Sequence, residues 1–315
     1  MPKTIPVLIL LVLFWFGSAF LSPLEAREPG KPLQVLCTIL PIYSLTLNVV
    51  GQTPGVRVEL LLPAHQGCPH NYDLTPGDLM RMARADLIIA NGLGMEEFLD
   101  QFLKKVKAKA PIILAAEQIQ PILNQTIPGH LRVGKEKAAS SHDHAERVNG
   151  HAWVSPKAAA VMVRTIAEGL AAHDPDQASQ YRSNARQFSQ KLEKLAGEMK
   201  ELVSKARNKN IIAFHDALAY LARDIGLNIV GVVQSQLGVE PSPKELVRLV
   251  KLIKDRQVVA LFAEPQYSDK LVRTLSRESG VPFFELDPVA TGKPEAGTYE
   301  QAMKKNLIIL RKVLK

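Results

Sequence analysis

Between Asp174 and Ala206, apolar residues recur in alternating steps of four and three: Tyr181, Ala185, Phe188, Leu192, Leu195, Met199, Leu202 and Ala206. That spacing keeps them on one face of an α-helix, while Arg182, Lys191, Glu193, Lys194, Glu198, Lys200 and Glu201 fall off it. Asp174 is placed to cap the helix, and Pro175 fits its first turn. Some thirty residues rise about 45 Å, more than the width of one small domain. About 145 residues precede this stretch and about 110 follow it, enough for a domain on each side. A coiled-coil segment or an ordinary surface helix would carry the same stripe. Both flanks, however, alternate strand-like and helix-like stretches, so the helix reads as a spine joining two lobes across a cleft.

On the N-terminal side, strands are expected at Gln34–Leu40, Val56–Leu62, Asp86–Ala90 and Pro111–Ala115. Helices are expected at about 42–50, from Thr75-Pro76-Gly77-Asp78 onward, at about 95–107 and at about 156–172. In the second of these Thr75 caps, Pro76 occupies the first turn and Asp78 meets the positive end of the helix dipole. Residues 116–149 break the alternation and read as a polar surface loop, partly disordered. On the C-terminal side, strands at Asn210–Phe214, Asn228–Val233, Val258–Phe262 and Pro282–Leu286 alternate with helices near 217–224, 242–255, 268–279 and 298–314. Alternation at this pitch indicates βαβ units, hence two α/β lobes with parallel sheets. The expected organisation is a leader at 1–26, an N-terminal lobe at 27–173, a linking helix at 174–206 and a C-terminal lobe at 207–315.

The leader has the form of a secretory signal: Lys3, an uncharged apolar run from Ile5 to Phe16, and small residues at Ser18-Ala19 and at Ala26. The run is too short for a membrane span. Neither cysteine lies near the cleavage region, which argues against a lipid anchor and for a soluble periplasmic protein. In that oxidising compartment Cys37 and Cys68, near the ends of two adjacent strands, are expected to pair, although Cys68 also lies close to His70. Cleavage removes one base, Lys3, and one acid, Glu25, so the formal net charge of +8 is unchanged. The basic residues are spread over many helices without aromatic interleaving, which excludes a nucleic-acid surface.

Ligands of α/β lobes gather where loops leave the carboxyl ends of strands. Four exits carry metal-competent side chains: His70 after the second strand, His151 at the end of the long loop, His215 after the strand ending at Phe214, and Asp287 after the last strand. Their gaps of 81, 64 and 72 residues match no local metal signature.

The motifs around them are more specific. The stretches Pro69-His70-Asn71-Tyr72 through Asp78, Ala85-Asp86-Leu87-Ile88 and Asn91-Gly92-Leu93-Gly94-Met95-Glu96 resemble the zinc/manganese solute-binding proteins of ABC transporters, the ZnuA-like or TroA-like family. His151-Ala152-Trp153 with Pro156, Phe214-His215-Asp216-Ala217-Leu218-Ala219-Tyr220, Glu240-Pro241-Ser242 and Leu286-Asp287-Pro288 continue the likeness in order. The resemblance implies two Rossmann-like lobes bridged by one long α-helix, with a single metal in the interlobe cleft. It carries the ligand role onto His70, His151, His215 and Asp287. The chain departs from the family at Ser155, where Asp is common, and in a loop whose histidines are reduced to His142 and His144.

Three imidazoles and one carboxylate suit Zn²⁺, and manganese sites lean toward more oxygen, so zinc is the favoured cargo and Mn²⁺ the alternative. The expected protein is a monomeric periplasmic receptor that delivers its metal to an ABC permease in the inner membrane. Its affinity should fall as the imidazoles protonate, around pH 6 and below. It is not expected to be an enzyme. An exported zinc hydrolase would need a general base, for which Glu264 is the candidate, but neither a His-Glu-x-x-His helix nor a Gly-x-Ser-x-Gly elbow is present.

Overall fold

The computed structural model describes residues 31–67, 69, 72–99, 110–124, 148–233, 242–266 and 270–314. The first sheet is assembled from short apolar strands: β1 (Leu33–Cys37), β2 (Val56–Leu60), β3 (Leu87–Ala90) and β4 (Ile112–Leu114). They run parallel in the order β2-β1-β3-β4. All four residues of β3, Leu-Ile-Ile-Ala, are buried, the composition expected of a parallel strand covered on both faces. Helix α1 (Leu40–Val50) connects β1 to β2, and α2 (Pro76–Arg84) connects β2 to β3. The start of α2 is as expected. Thr75 Oγ1 accepts from the Asp78 N–H at 3.2 Å, and Asp78 Oδ2 accepts from the Thr75 N–H at 2.8 Å, a reciprocal capping box.

Helix α3 (Pro156–His173) leads to the spine. The spine itself is α4, Ala178–Lys205, a 28-residue helix about 42 Å long. Its beginning differs from the expected one. Pro175–Gln177 form a separate 3-10 turn, and Asp174 makes no side-chain cap bond. The Asp174 carboxylate is taken instead by the Tyr181 hydroxyl, which donates to Oδ2 at 2.8 Å. The stripe from Tyr181 to Met199 is buried as its spacing requires, but in the last turn Val203 is buried and Leu202 only partly so. A seven-residue repeat drifts around a 3.6-residue helix, and by the last turn the drift has moved the buried position one residue on. The spine packs on α1 and α3 before it. Asn184 Nδ2 donates to the Val49 carbonyl at 3.0 Å, fastening the spine to the end of α1.

The second sheet repeats the plan. Strands β5 (Asn210–Ala213), β6 (Asn228–Val232), β7 (Ala260–Ala263) and β8 (Phe283–Glu285) are parallel in the order β6-β5-β7-β8. Around them lie α5 (Ala219–Ile225), α6 (Pro243–Asp255), α7 (Lys270–Ser279) and α8 (Thr298–Val313). The spine packs on α5 and α8 as well, so one helix carries apolar contacts to both halves. Leu249, Ile253, Val272 and Leu275 of α6 and α7 cover the outer face of the second sheet in a core of their own. A larger core runs through both sheets, α3 and the spine. Pro32–Lys315 form one compact unit, and none of the described helices is long and apolar enough to cross a membrane.

Two expectations fall on stretches that are only partly described. The stretch 116–149 is ordered at both ends: Ala116 and Ile119 are buried, and Leu123 forms an antiparallel bridge with Val148. Residues 125–147, with His142 and His144, lie outside the described residues. The expected disulfide finds no support, because Cys37 carries a free thiol; Cys68 lies outside the described residues. Complete burial pushes the Cys37 thiol up to about 12, with the Thr46 hydroxyl nearby pulling the other way.

Candidate metal centre

Both sheets change winding direction between their two central strands, and the carboxyl ends there open into a crevice. In the second sheet, β5 leaves through Phe214 and His215, and β7 leaves through Glu264. His215 is thus delivered to the crevice by β5, with Asp216 following in a 3-10 turn, Asp216–Leu218. His151 arrives from the other direction, just before a 3-10 turn at Ala152–Val154 that feeds α3. The two imidazoles meet edge to face with centroids 5.1 Å apart.

His151, His215 and Asp216 can each point a ligand atom so that all three lie within 4.8 Å of one another. All three are buried, with relative exposures of 3%, 6% and 6%. Asp216 Oδ1 faces His215 Nε2 at 3.1 Å and His151 Nδ1 at 3.8 Å. Asn149 Oδ1 accepts from the His151 backbone N–H at 2.9 Å and lies 3.2 Å from Nδ1. An acceptor at Nδ1 favours the proton there, the tautomer that would present Nε2 to a metal.

On the far side of His215, Glu264 Oε1 stands 3.5 Å from Nδ1, and Glu264 Oε2 accepts from Gln266 Nε2 at 2.6 Å. Burial disfavours the imidazolium of His215, but the contact with Glu264 and the charges of Asp216 and Glu264 outweigh it and raise its pKa. Negative charge that attracts a proton attracts a dication to the same nitrogens. Glu264, 3% exposed, holds Gln266 through Oε2 and turns Oε1, which has no hydrogen-bond partner among the described residues, toward the His215 ring.

Asp287 follows β8 and lies close enough to Glu264 to feel its charge. Burial is the largest cause raising its carboxyl, Glu264 adds to it, and the Val289 N–H and Lys305 pull the other way. Its Oδ1 accepts from the Val289 N–H at 2.7 Å. Asp287 is not among the three groups that converge, and His70 lies outside the described residues. Of the four expected ligands the structure therefore brings two together, His151 and His215, and adds Asp216. The signal for Asp216 was its place in the His215-Asp216 pair at a strand exit.

The segment carrying His151 is clasped by the C-terminal half. Asn149 Nδ2 donates to the Asp216 carbonyl at 3.0 Å, and Tyr220 Oη donates to the Asn149 carbonyl at 2.7 Å. Trp153 Nε1 donates to the Pro288 carbonyl at 2.7 Å, and Tyr299 Oη donates to the Trp153 carbonyl at 2.6 Å. The departure at Ser155 is compensated in the same way: Ser155 Oγ donates to Asp224 Oδ2 at 2.6 Å while accepting from the Ala158 N–H at 3.3 Å. A carboxylate is still present at the start of α3, supplied by α5.

Residues 35–313 match the family described as ZnuA, zinc-uptake complex component A, periplasmic. The chain belongs to this family. It is 30% identical over 297 residues to the zinc-binding lipoprotein AdcA of Streptococcus pneumoniae, an alignment covering 91% of this chain and 56% of that protein. The iron-binding protein YfeA of Yersinia pestis is 25% identical over 288 residues, 90% of this chain and 86% of YfeA. Among solved structures, the solute-binding protein FpvC of Pseudomonas aeruginosa in complex with Mn²⁺ superposes with a TM-score of 0.76 at 30% identity, covering 90% of this chain and 99% of FpvC. The chain spans little more than half the length of the AdcA relatives it matches. Because AdcA of S. pneumoniae is named a lipoprotein, the expectation that this ZnuA-family chain carries no lipid anchor is not borne out.

Proposed function

We propose that this chain is an extracytoplasmic receptor that captures one divalent transition metal ion, zinc in preference to manganese, and passes it to an ABC permease. Residues 1–26 direct its export, 27–173 and 207–315 form the lobes, 174–206 links them, and the receptor acts as a monomer. The observation that carries this reading is the convergence of buried His151, His215 and Asp216 in a chain of the zinc-uptake family.

His151 and His215 supply imidazole nitrogens. His70 and Asp287 complete the set as the family resemblance implies, and Asp216 adds negative charge beside both rings. A nitrogen-rich, closed set favours zinc. Relatives named for zinc and for iron, and the solved FpvC complex with Mn²⁺, mark the range of metals found on this scaffold. The test is metal analysis of the mature protein purified without added metal, followed by competition between zinc and manganese. Retained zinc that excess manganese does not displace supports the reading; preferential retention of manganese, or no bound metal under either condition, contradicts it.

A further inference from the structure

The motif Asn91-Gly92-Leu93-Gly94-Met95-Glu96 has no part in the ligand set, yet it closes the switch point of the first sheet. Glu96, 6% exposed, is held there by three donors. Thr38 Oγ1 donates to Oε1 at 2.8 Å, the Asn91 N–H donates to Oε1 at 2.7 Å, and the Gly92 N–H donates to Oε2 at 3.1 Å. Thr38 is the first residue after β1 and Asn91 the first after β3. The corresponding exits of the second sheet, after β5 and β7, lead to His215 and Glu264. One switch point presents a metal-binding imidazole; in the other, a buried carboxylate ties two strand ends together.

From that anchor Asn91 reaches the His151 segment. Its Nδ2 donates to the Gly92 carbonyl at 2.7 Å and to the Gly150 carbonyl at 2.9 Å. Both partners are acceptors, so the amide nitrogen must face them. Its Oδ1 is buried without a hydrogen bond among the described residues. An orphaned buried acceptor costs stability, so packing alone does not account for an asparagine here. Gly150 completes the fit: a Cβ at this position would lie 2.6 Å from Met95 Cε and 3.2 Å from Met95 Cβ. The peptide preceding His151 is thus pressed between the Asn91 amide and the Met95 side chain.

We infer that Thr38, Glu96 and Asn91 form a positioning clamp that sets how far His151 enters the metal site, with Asn91 gripping the peptide before it. The clamp rests on the metal-receptor reading and binds no metal itself. It joins the first sheet to a segment that is also tied to residues 122–123 by the Leu123–Val148 bridge and the Asn149 N–H, and to the second half through Asn149 and Trp153. The geometry offered to the metal then depends on the clamp at closed strand ends as well as on the spine.

Co²⁺ is the probe, since its visible absorption reports coordination geometry, and zinc affinity is followed by chelator competition on the full mature chain. Asn91→Ala should bind zinc about tenfold more weakly, still at one metal per chain, with altered Co²⁺ absorption. Thr38→Val keeps the side-chain shape, removes one donor to Glu96 and should move both readouts the same way by less. A merely structural role would lower the melting temperature and leave the Co²⁺ spectrum and the affinity of the folded protein as in the wild type. That result in both variants overturns the clamp, and Thr38→Val decides alone if Asn91→Ala does not fold. Failure of the wild type to bind either metal would instead overturn the receptor reading.

Discussion

Trp153 donates its indole N–H to the carbonyl of Pro288, 135 residues further along the chain and adjacent to Asp287. The bond ties the segment that carries His151 to the loop that carries Asp287, so these two stretches are joined directly as well as through the spine. Trp153→Phe keeps most of the ring volume and leaves the Pro288 carbonyl without its donor. A buried carbonyl orphaned in this way should cost about 1–3 kcal/mol, measured by denaturant unfolding of the metal-free protein. Zinc binding should weaken in parallel; unchanged stability would show that the indole contributes by packing alone.

Ser155 and Asp224 offer a swap experiment. Ser155→Asp brings a second carboxylate against Asp224 Oδ2 and should destabilise the protein. Adding Asp224→Ser restores one hydroxyl facing one carboxylate and should recover most of the loss. The coupling energy from the double-mutant cycle should be about 1–3 kcal/mol. Additive single effects would mean that the 2.6 Å bond is worth little in solution.

Asp78 predicts part of the acid sensitivity. Burial pushes its carboxyl up, but hydrogen bonds from the Thr75 backbone and side chain, Arg81 and Tyr72 outweigh this and hold it below the usual aspartate range. A pKa lower in the folded than in the unfolded state adds stability that is present above the unfolded value and is lost as pH falls through the folded one. Asp78→Asn should therefore be less stable than wild type near neutrality, and the difference should shrink between about pH 5 and pH 2. A constant difference across that range would contradict the assignment.

Cys37 should resist thiol reagents in the native protein at neutral pH, because burial places its thiol at about 12. It should react promptly once denaturant is added, without a reductant. Unfolded, unreduced protein that shows no reactive thiol would restore the disulfide.

Much of the fold is legible because its signals are local. The spine follows from a period of 3.6, the cap at Thr75 from residues three apart, and the parallel sheets from alternation of short apolar strands with helices. Where expectation and structure differ, a distant partner intervenes, as at Asp174, which is claimed by Tyr181 before it can cap. The candidate site divides the same way. His151 and His215 stand out as metal-competent residues at loop and strand exits. That Asp216 sits between them, that Glu264 turns to His215, and that Asn91 grips Gly150 depend on contacts across 49 residues or more or on the rotamers of neighbours, which no spacing encodes.

His151 and His215 are proposed as the core of a single high-affinity metal site. Calorimetric titration of the metal-free mature protein with zinc, beside His215→Ala and His151→Ala, tests it most directly. One zinc per wild-type chain is expected, with a loss of affinity of at least about tenfold in each variant while both remain folded. One-to-one binding of undiminished affinity in either variant would remove that histidine from the site and contradict the account.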